Sequence, residues 1–314
     1  MSAKFKYFLI VLLLSSVTTW AQTHKATKAS ASVDWKDVDS AMGRAGQDQP
    51  DGTHKYSLPR KDLNVTLNGV QIKAGLALGS WVAFKSVANG NSMVMGDIVL
   101  TENDLGPVQQ EIIKQGLTST AIHNHFVRNS PNIMYMHIGG SGNTELMAQK
   151  AKAILDKVNE TRNGDPSKGT ASNEAVENTL DTKKLDEILG YKAEMSKGVY
   201  KYTIGRPDVK LSEHGVPIST FLGFNTWAAW QGTPEKAAVA GDFTMLENEV
   251  EPVLKALISG GIEVVALHNH MVHEQPRIFF LHYWGVGNAE KLAKTLRSAL
   301  DQTGKQQSKH EMKM

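Results

Sequence analysis

The sequence predicts an α+β protein of two tandem homologous domains, each a mostly antiparallel sheet with packed helices. Two observations carry this reading. The stretch from His123 to Leu155 aligns without a gap on His268 to Leu300, at a constant offset of 145 residues. Within each copy, short apolar runs bounded by Gly and Asn are interleaved with segments whose apolar residues recur at helical spacing. Under the offset His123, Asn124, His125, Pro131, His137, Gly142 and Asn143 meet His268, Asn269, His270, Pro276, His282, Gly287 and Asn288. Upstream, Gly96-Asp97 meets Gly241-Asp242, Glu102-Asn103 meets Glu247-Asn248, and Pro107 meets Pro252. After a one-residue length change the offset becomes 146 and pairs Tyr56, Arg60, Asp62, Gly69 and Trp81 with Tyr202, Arg206, Asp208, Gly215 and Trp227. A duplication this extensive implies one fold made twice.

Taken in chain order, Trp35, Val38 and Met42 share a helical face, as do Leu185, Ile188 and Leu189 in the second copy. Val65 to Ile72 and Ser80 to Val87 read as strands. Asp104 to Gln115 and Glu249 to Ser259 read as helices, with Pro107 and Pro252 in the first turn, where a missing N–H does least harm. Val264 to Met271 and Ile278 to Tyr283 read as an antiparallel pair joined by a polar loop containing Pro276. Closing helices carry Leu146, Ile154 and Leu155 in one copy and Leu292, Leu296 and Leu300 in the other. The run Gly139-Gly140-Ser141-Gly142 resembles a phosphate cradle only superficially, since no P-loop lysine follows, and it reads as a tight turn.

The expected boundaries are a signal peptide over 1–21, a first repeat domain over 22–156, a polar linker over 157–180, a second repeat domain over 181–300 and a flexible tail over 301–314. The signal reading rests on Lys4 and Lys6, the apolar run Phe8 to Leu14, and small residues at Thr19 and Ala21. With that segment removed no membrane span is expected, and the chain is expected in the periplasm or secreted. The absence of cysteine excludes disulfides, a thiol nucleophile, thiolate-held metal and a lipidated cysteine, so metal or covalent chemistry must use oxygen and nitrogen. Charge is nearly balanced at +2, with no basic stripe interleaved with aromatics, so no nucleic-acid partner is expected.

The chemistry-bearing pattern is a His-Asn-His tripeptide with a third histidine downstream, present twice. Side chains alternate faces along a strand, so His268 and His270 point one way, and a hairpin brings His282 beside them. His123, His125 and His137 repeat the pattern. Three imidazoles in such an array can hold one divalent ion, zinc or manganese, with a position left for water or substrate. A metal-free polar pocket and simple packing of strand histidines are the alternatives. Glu274 stands in the second loop as fourth ligand or general base, where the first copy has Asn129 beside Arg128, so the second copy is expected to be the tighter metal site. Asn124 and Asn269 are expected to bond backbone, and Asp97, Asp242, Glu102 and Glu247 to cap or begin helices. Trp81, Trp227, Trp230 and Trp284 read as core or pocket walls.

The string ALHNHMVHEQPRIFFLHYWGVGNAEKLA, with the earlier Gly241-Asp242, resembles the LppY/LpqO family of exported bacterial proteins of unknown function. The first copy is similar. The resemblance implies a two-domain envelope protein and no particular reaction; the lipobox cysteine of anchored relatives is missing. Two functions from different classes remain: a metal-dependent hydrolase with a three-histidine site, or a non-catalytic periplasmic protein binding a polar small molecule, a glycan or a metal ion. A third reading is an envelope protein in which the histidines only pack. No G-x-S-x-G motif is present, which argues against an ordinary serine esterase.

Overall fold

The computed structural model describes residues 33–163, 178–196 and 198–304. The expected signal segment, residues 164–177 of the expected linker and residues 305–314 of the tail lie outside them. Two tandem α+β units are present. The first runs helix α1 (Trp35–Met42), strands Gln47–Asp48, Thr53–Pro59, Gly79–Ser86 and Asn91–Thr101, helix α2 (Glu102–Lys114), strands Thr118–His123 and Ile133–Asn143, and helix α3 (Thr144–Asn163). The second repeats it with α4 (Thr182–Leu189), Glu194–Ser196, Val199–Gly205, Asn225–Gly232, Ala237–Leu246, α5 (Glu247–Ser259), Glu263–His268, Ile278–Gly287 and α6 (Ala289–Leu300). Each unit has one six-stranded sheet, antiparallel at every pairing, in the same strand order. The central strand of each is the one carrying Gly-Asp, flanked by the strand with the third histidine, and the His-Asn-His strand forms an edge.

Alternation along the central strand separates two environments. Val94, Ile98 and Leu100 pack with Val108, Ile112, Ala148 and Ile154 from the helices, while Met93, Met95, Asp97 and Val99 point to the opposite face. That second face is not left to solvent: the apolar clusters on it draw residues from both copies. An arm over residues 60–78 carries Leu63, Val65 and Leu76 against Val199, Ala229 and Ala238 of the second sheet. The matching arm over residues 206–224 carries Leu211, Ile218 and Leu222 against Ala83, Met93 and Met95 of the first. Gln231 fastens one arm by donating to the Gln71 carbonyl at 2.7 Å and accepting from Lys73 N at 3.2 Å. The helices therefore lie outside, and the inner sheet faces are buried between the copies.

The repeated Arg and Asp of each arm root form a second shared device. Arg206 spans Asp208, the Thr244 carbonyl and Glu249, at 2.8, 2.9 and 2.7 Å, and Glu249 also caps α5 through Leu246 N. Arg60 repeats this with Asp62, the Val99 carbonyl and Asp104.

Four expectations differ from the structure. Val65 to Ile72 is not one strand but two short ones, Thr66–Leu67 and Val70–Gln71, because Asn68 and Gly69 both take left-handed φ values (51° and 76°) and turn the chain in a two-residue hairpin. The two proline-bearing helices begin two residues earlier than expected, at Glu102 and Glu247, so Pro107 and Pro252 fall in the second turn. Gly139 to Gly142 is neither cradle nor turn but continues the strand to Asn143, and a Cβ at Gly140 would run into Leu117. Finally, the strand expected to reach Met271 ends at His268, so His270 lies in the loop beyond it. Helix α3 continues to Asn163, into the segment expected to join the copies. Among the described residues no helix is long and apolar enough to cross a membrane.

Candidate metal centre between the two copies

Register sets the site. Across the first sheet Trp81 pairs with Asp97, Asp97 with His137 and His137 with Ala121. Across the second, Trp227 pairs with Asp242, Asp242 with His282 and His282 with Ala266. Opposed residues share a face, so each row aims one aspartate and one histidine into the space between the sheets. Because the two edge strands lie side by side, the rows meet. Thr120 donates to the His270 carbonyl at 2.7 Å, and Asn269 donates to the carbonyls of Thr120 and Met271 at 2.9 and 2.7 Å. Asn269 thus bonds backbone as expected, but across the seam.

All six sequence-predicted histidines enter one cluster instead of forming two separate sites. His123 stacks on His268 with centroids 4.1 Å apart, His125 lies 3.7 Å from His282, and His137 lies 4.0 Å from His270. Ligand atoms of three overlapping groups fall within 4.8 Å of one another: His123, His268 and His282; His137, His268 and His270; and Asp97, His123 and His137. His125 Nε2 is 3.5 Å from Asp97 Oδ2, and His270 Nε2 is 3.2 Å from Asp242 Oδ2. These groups fit a divalent cation by donor type.

The orientation of three rings is settled by backbone. His137, His270 and His282 place Nδ1 at 3.2, 3.0 and 3.0 Å from the carbonyls of Gly96, Gly223 and Gly241. A carbonyl only accepts, so each Nδ1 carries the proton and each Nε2 presents a lone pair. All three Nε2 atoms are buried without a hydrogen-bond partner among the described residues, as are Asp97 Oδ1 and Asp242 Oδ1. Outward Nδ1–H bonds that aim a bare Nε2 inward are the supporting pattern of metal-ligating histidine.

Glu274 does not join the cluster. It is 1% exposed, and its Oε1 accepts from Ile278 N at 3.3 Å and pairs with Arg277 at 3.2 Å, closing the loop around Pro276. Its backbone pairs with Glu213 in a small separate sheet, which carries the side chain away from the histidines. Arg128, expected to oppose a cation in the first copy, turns outward on a φ of 67° and meets Glu263 at 2.6 Å. The loop charges therefore do not distinguish the copies as the sequence suggested. Asp97 and Asp242, expected as helix caps, instead sit in mid-strand at the floor of the site, while Glu102 and Glu247 do begin helices. Their signal was visible as a lone acid within an apolar run (MVMGDIVL and VAGDFTML). Of the tryptophans, Trp230 and Trp284 are core, whereas Trp81 and Trp227 line a cavity of ≈ 310 Å³ above the histidines.

The family described as Domain of Unknown Function (DUF1259) matches residues 36–157 and again residues 183–302. The chain belongs to this family. Both copies of the DUF1259 domain carry the Asp-His row and the His-Asn-His edge, so the site is assembled from two members of one family in a single chain. Curated proteins give no match. Among solved structures, the trimeric bacterial microcompartment shell protein PduB is similar at 13% identity, over 81% of this chain and 91% of its own, with a TM-score of 0.18. A double-ringed trimeric shell protein of the RMM microcompartment is similar at 9% identity, over 78% and 96%, with a TM-score of 0.18. Overlaps this low carry no argument about fold or assembly.

Burial disfavours the charged form of every group in the cluster. It holds all six imidazoles below their ordinary range, His137 at about 3 and His270 at about 4, with neighbouring imidazoles adding to the effect at His123, His125, His137, His268 and His282. Burial likewise raises Asp97, and raises Asp242 well above the carboxylate range. The unfolded chain takes up protons on histidine near pH ~6.5 while the folded chain does not until far lower, so acidification favours unfolding; the two raised aspartates work in the opposite sense but are fewer. Chelator-treated protein is expected to lose stability from about pH 6.5 downward, more steeply than the ~1.4 kcal/mol per pH unit of a single proton. Urea midpoints measured between about pH 7 and pH 5 check this, and a flat profile would contradict the burial of neutral imidazoles.

Proposed function

We propose that the DUF1259 pair is a metal-dependent hydrolase whose divalent ion, zinc or manganese, is held at the seam by histidines of both copies. The observation that carries the reading is the crowding of ligand atoms at the seam: those of His123, His268 and His282, and those of His137, His268 and His270, lie within 4.8 Å of one another, and Nε2 of His137 and of His282 is buried without a hydrogen-bond partner among the described residues. Leaving several such atoms unsatisfied costs about 1–3 kcal/mol each, which a cation would recover. Neutral imidazoles also need not release a proton to bind it. A bound divalent ion would act as a Lewis acid and lower the pKa of a coordinated water. Asp97 and Asp242, in place of Glu274, are the carboxyl groups beside the cluster that would orient such a water, lying 3.5 Å from His125 Nε2 and 3.2 Å from His270 Nε2 respectively.

Near-parallel stacking favours a second reading. His123 lies over His137 at 4.7 Å and 4°, and His268 over His282 at 4.6 Å and 14°. Neutral imidazoles packed this way also suit a metal-free floor for a polar ligand. Elemental analysis of protein purified without a histidine tag separates the two readings: stoichiometric zinc or manganese is expected, and protein that neither carries nor takes up a divalent ion would eliminate the hydrolase. The likeness to the LppY/LpqO family supports placing this activity in the bacterial envelope, after export.

A further inference from the structure

The cavity above the histidines carries a second repeated pair that the metal reading does not use. Lys55 and Lys201 are equivalent at the 146-residue offset. Each stands over the tryptophan of its own copy, Lys55 Nζ 4.2 Å from the Trp81 ring centroid and Lys201 Nζ 4.7 Å from that of Trp227. All four side chains line the cavity whose floor is Asp97, Asp242, His125, His137, His270 and His282. We propose that this cavity takes an anionic ligand through an oxyanion group such as phosphoryl, with Lys55 and Lys201 as charge partners at the mouth and Trp81 and Trp227 as walls.

The inference rests on the metal reading and extends it to the class of substrate. Two cationic side chains and a proposed divalent ion facing one cavity favour an anionic occupant. The lysine charges do reach the floor: that of Lys55 is felt at Asp97 and His270, and that of Lys201 at His125. Above the floor, the charged residues of the lining are these two lysines against the exposed Glu194. A divalent ion would add to this positive excess, which lies toward the mouth, where an entering ligand would present its charge. Lys55 also donates to the Phe221 carbonyl at 3.4 Å, on the arm of the other copy, so its position at the mouth is held from both sides. Tryptophan faces both orient the ammonium groups and offer apolar surface to the uncharged part of a ligand.

Inorganic phosphate, titrated by calorimetry into manganese-loaded protein, is the probe. Lys55→Gln with Lys201→Gln should leave metal content and thermal melting unchanged while weakening phosphate binding at least about tenfold. Lys55→Arg with Lys201→Arg keeps the charge and should retain most of the affinity, which separates a charge effect from a folding defect. Phosphate binding of equal strength in the glutamine variant would overturn the proposal, as would metal-loaded unmodified protein that does not bind phosphate at about 10 mM. Protein that takes up no metal would instead sink the hydrolase reading beneath it, and this inference with it.

Discussion

Replacing His123 and His125 together by Ala is expected to weaken metal binding as severely as replacing His268 and His270, by more than about 100-fold in each case. Loss of a single outer partner of a ligating histidine typically costs about 10–100-fold, and these variants remove the imidazoles themselves. The equality is the informative part. Sequence alone argues for two independent sites, with Glu274 making the second tighter, and so for the loss of a tight phase only in the second variant. In the structure His268 belongs to one candidate ligand group with His123 and His282 and to another with His137 and His270. Damage to either copy therefore reaches both. A zinc or manganese titration that lost one phase in one variant and a different phase in the other would restore two separate sites. Glu274→Gln is the matching control, because its carboxylate closes a loop away from the cluster; metal affinity should not change.

Arg206→Met is expected to lower unfolding free energy by about 3–5 kcal/mol. The substitution leaves Glu249 buried at 3% exposure without its guanidinium, and a buried charge without a partner is among the costliest single defects. Arg60→Met should behave alike, since Asp104 is fully buried against Arg60. Adding Glu249→Gln to Arg206→Met removes the stranded charge while keeping an oxygen for Leu246 N, and should recover part of the loss. Urea unfolding of the three proteins checks both statements. A fall below about 1 kcal/mol in Arg206→Met would mean that solvent reaches the pair and that the arm root is not dry.

Much of the fold was legible because the sequence is its own comparison. Equivalent glycines, prolines and apolar runs at one offset establish that a single unit occurs twice, and the alternation in VAGDFTML or the helical spacing of Trp35, Val38 and Met42 follows from the geometry of strand and helix. Local chemistry was harder to read where one residue decides it. Asn68-Gly69 lies inside an apolar run that periodicity alone reads as unbroken, and only its left-handed φ values split the strand. Asp97 and Asp242 look like cap residues from their neighbours, whereas their register opposite His137 and His282 makes them part of the centre.

By itself the sequence determined the duplication, the α+β class, the lack of thiol chemistry and the six histidines, because these depend on residue identity and on spacing within one copy. Only the tertiary structure decided that the six form one cluster, that Glu274 is excluded from it, and that Lys55 and Lys201 share a cavity with it. The physical reason is that each copy leaves one sheet face apolar apart from its Asp-His row and a few polar residues beside it, Lys55 in one copy and Lys201 in the other among them. Burying that face against the other copy brings two polar rows together over contacts nearly half the chain apart, a separation that local pattern does not encode.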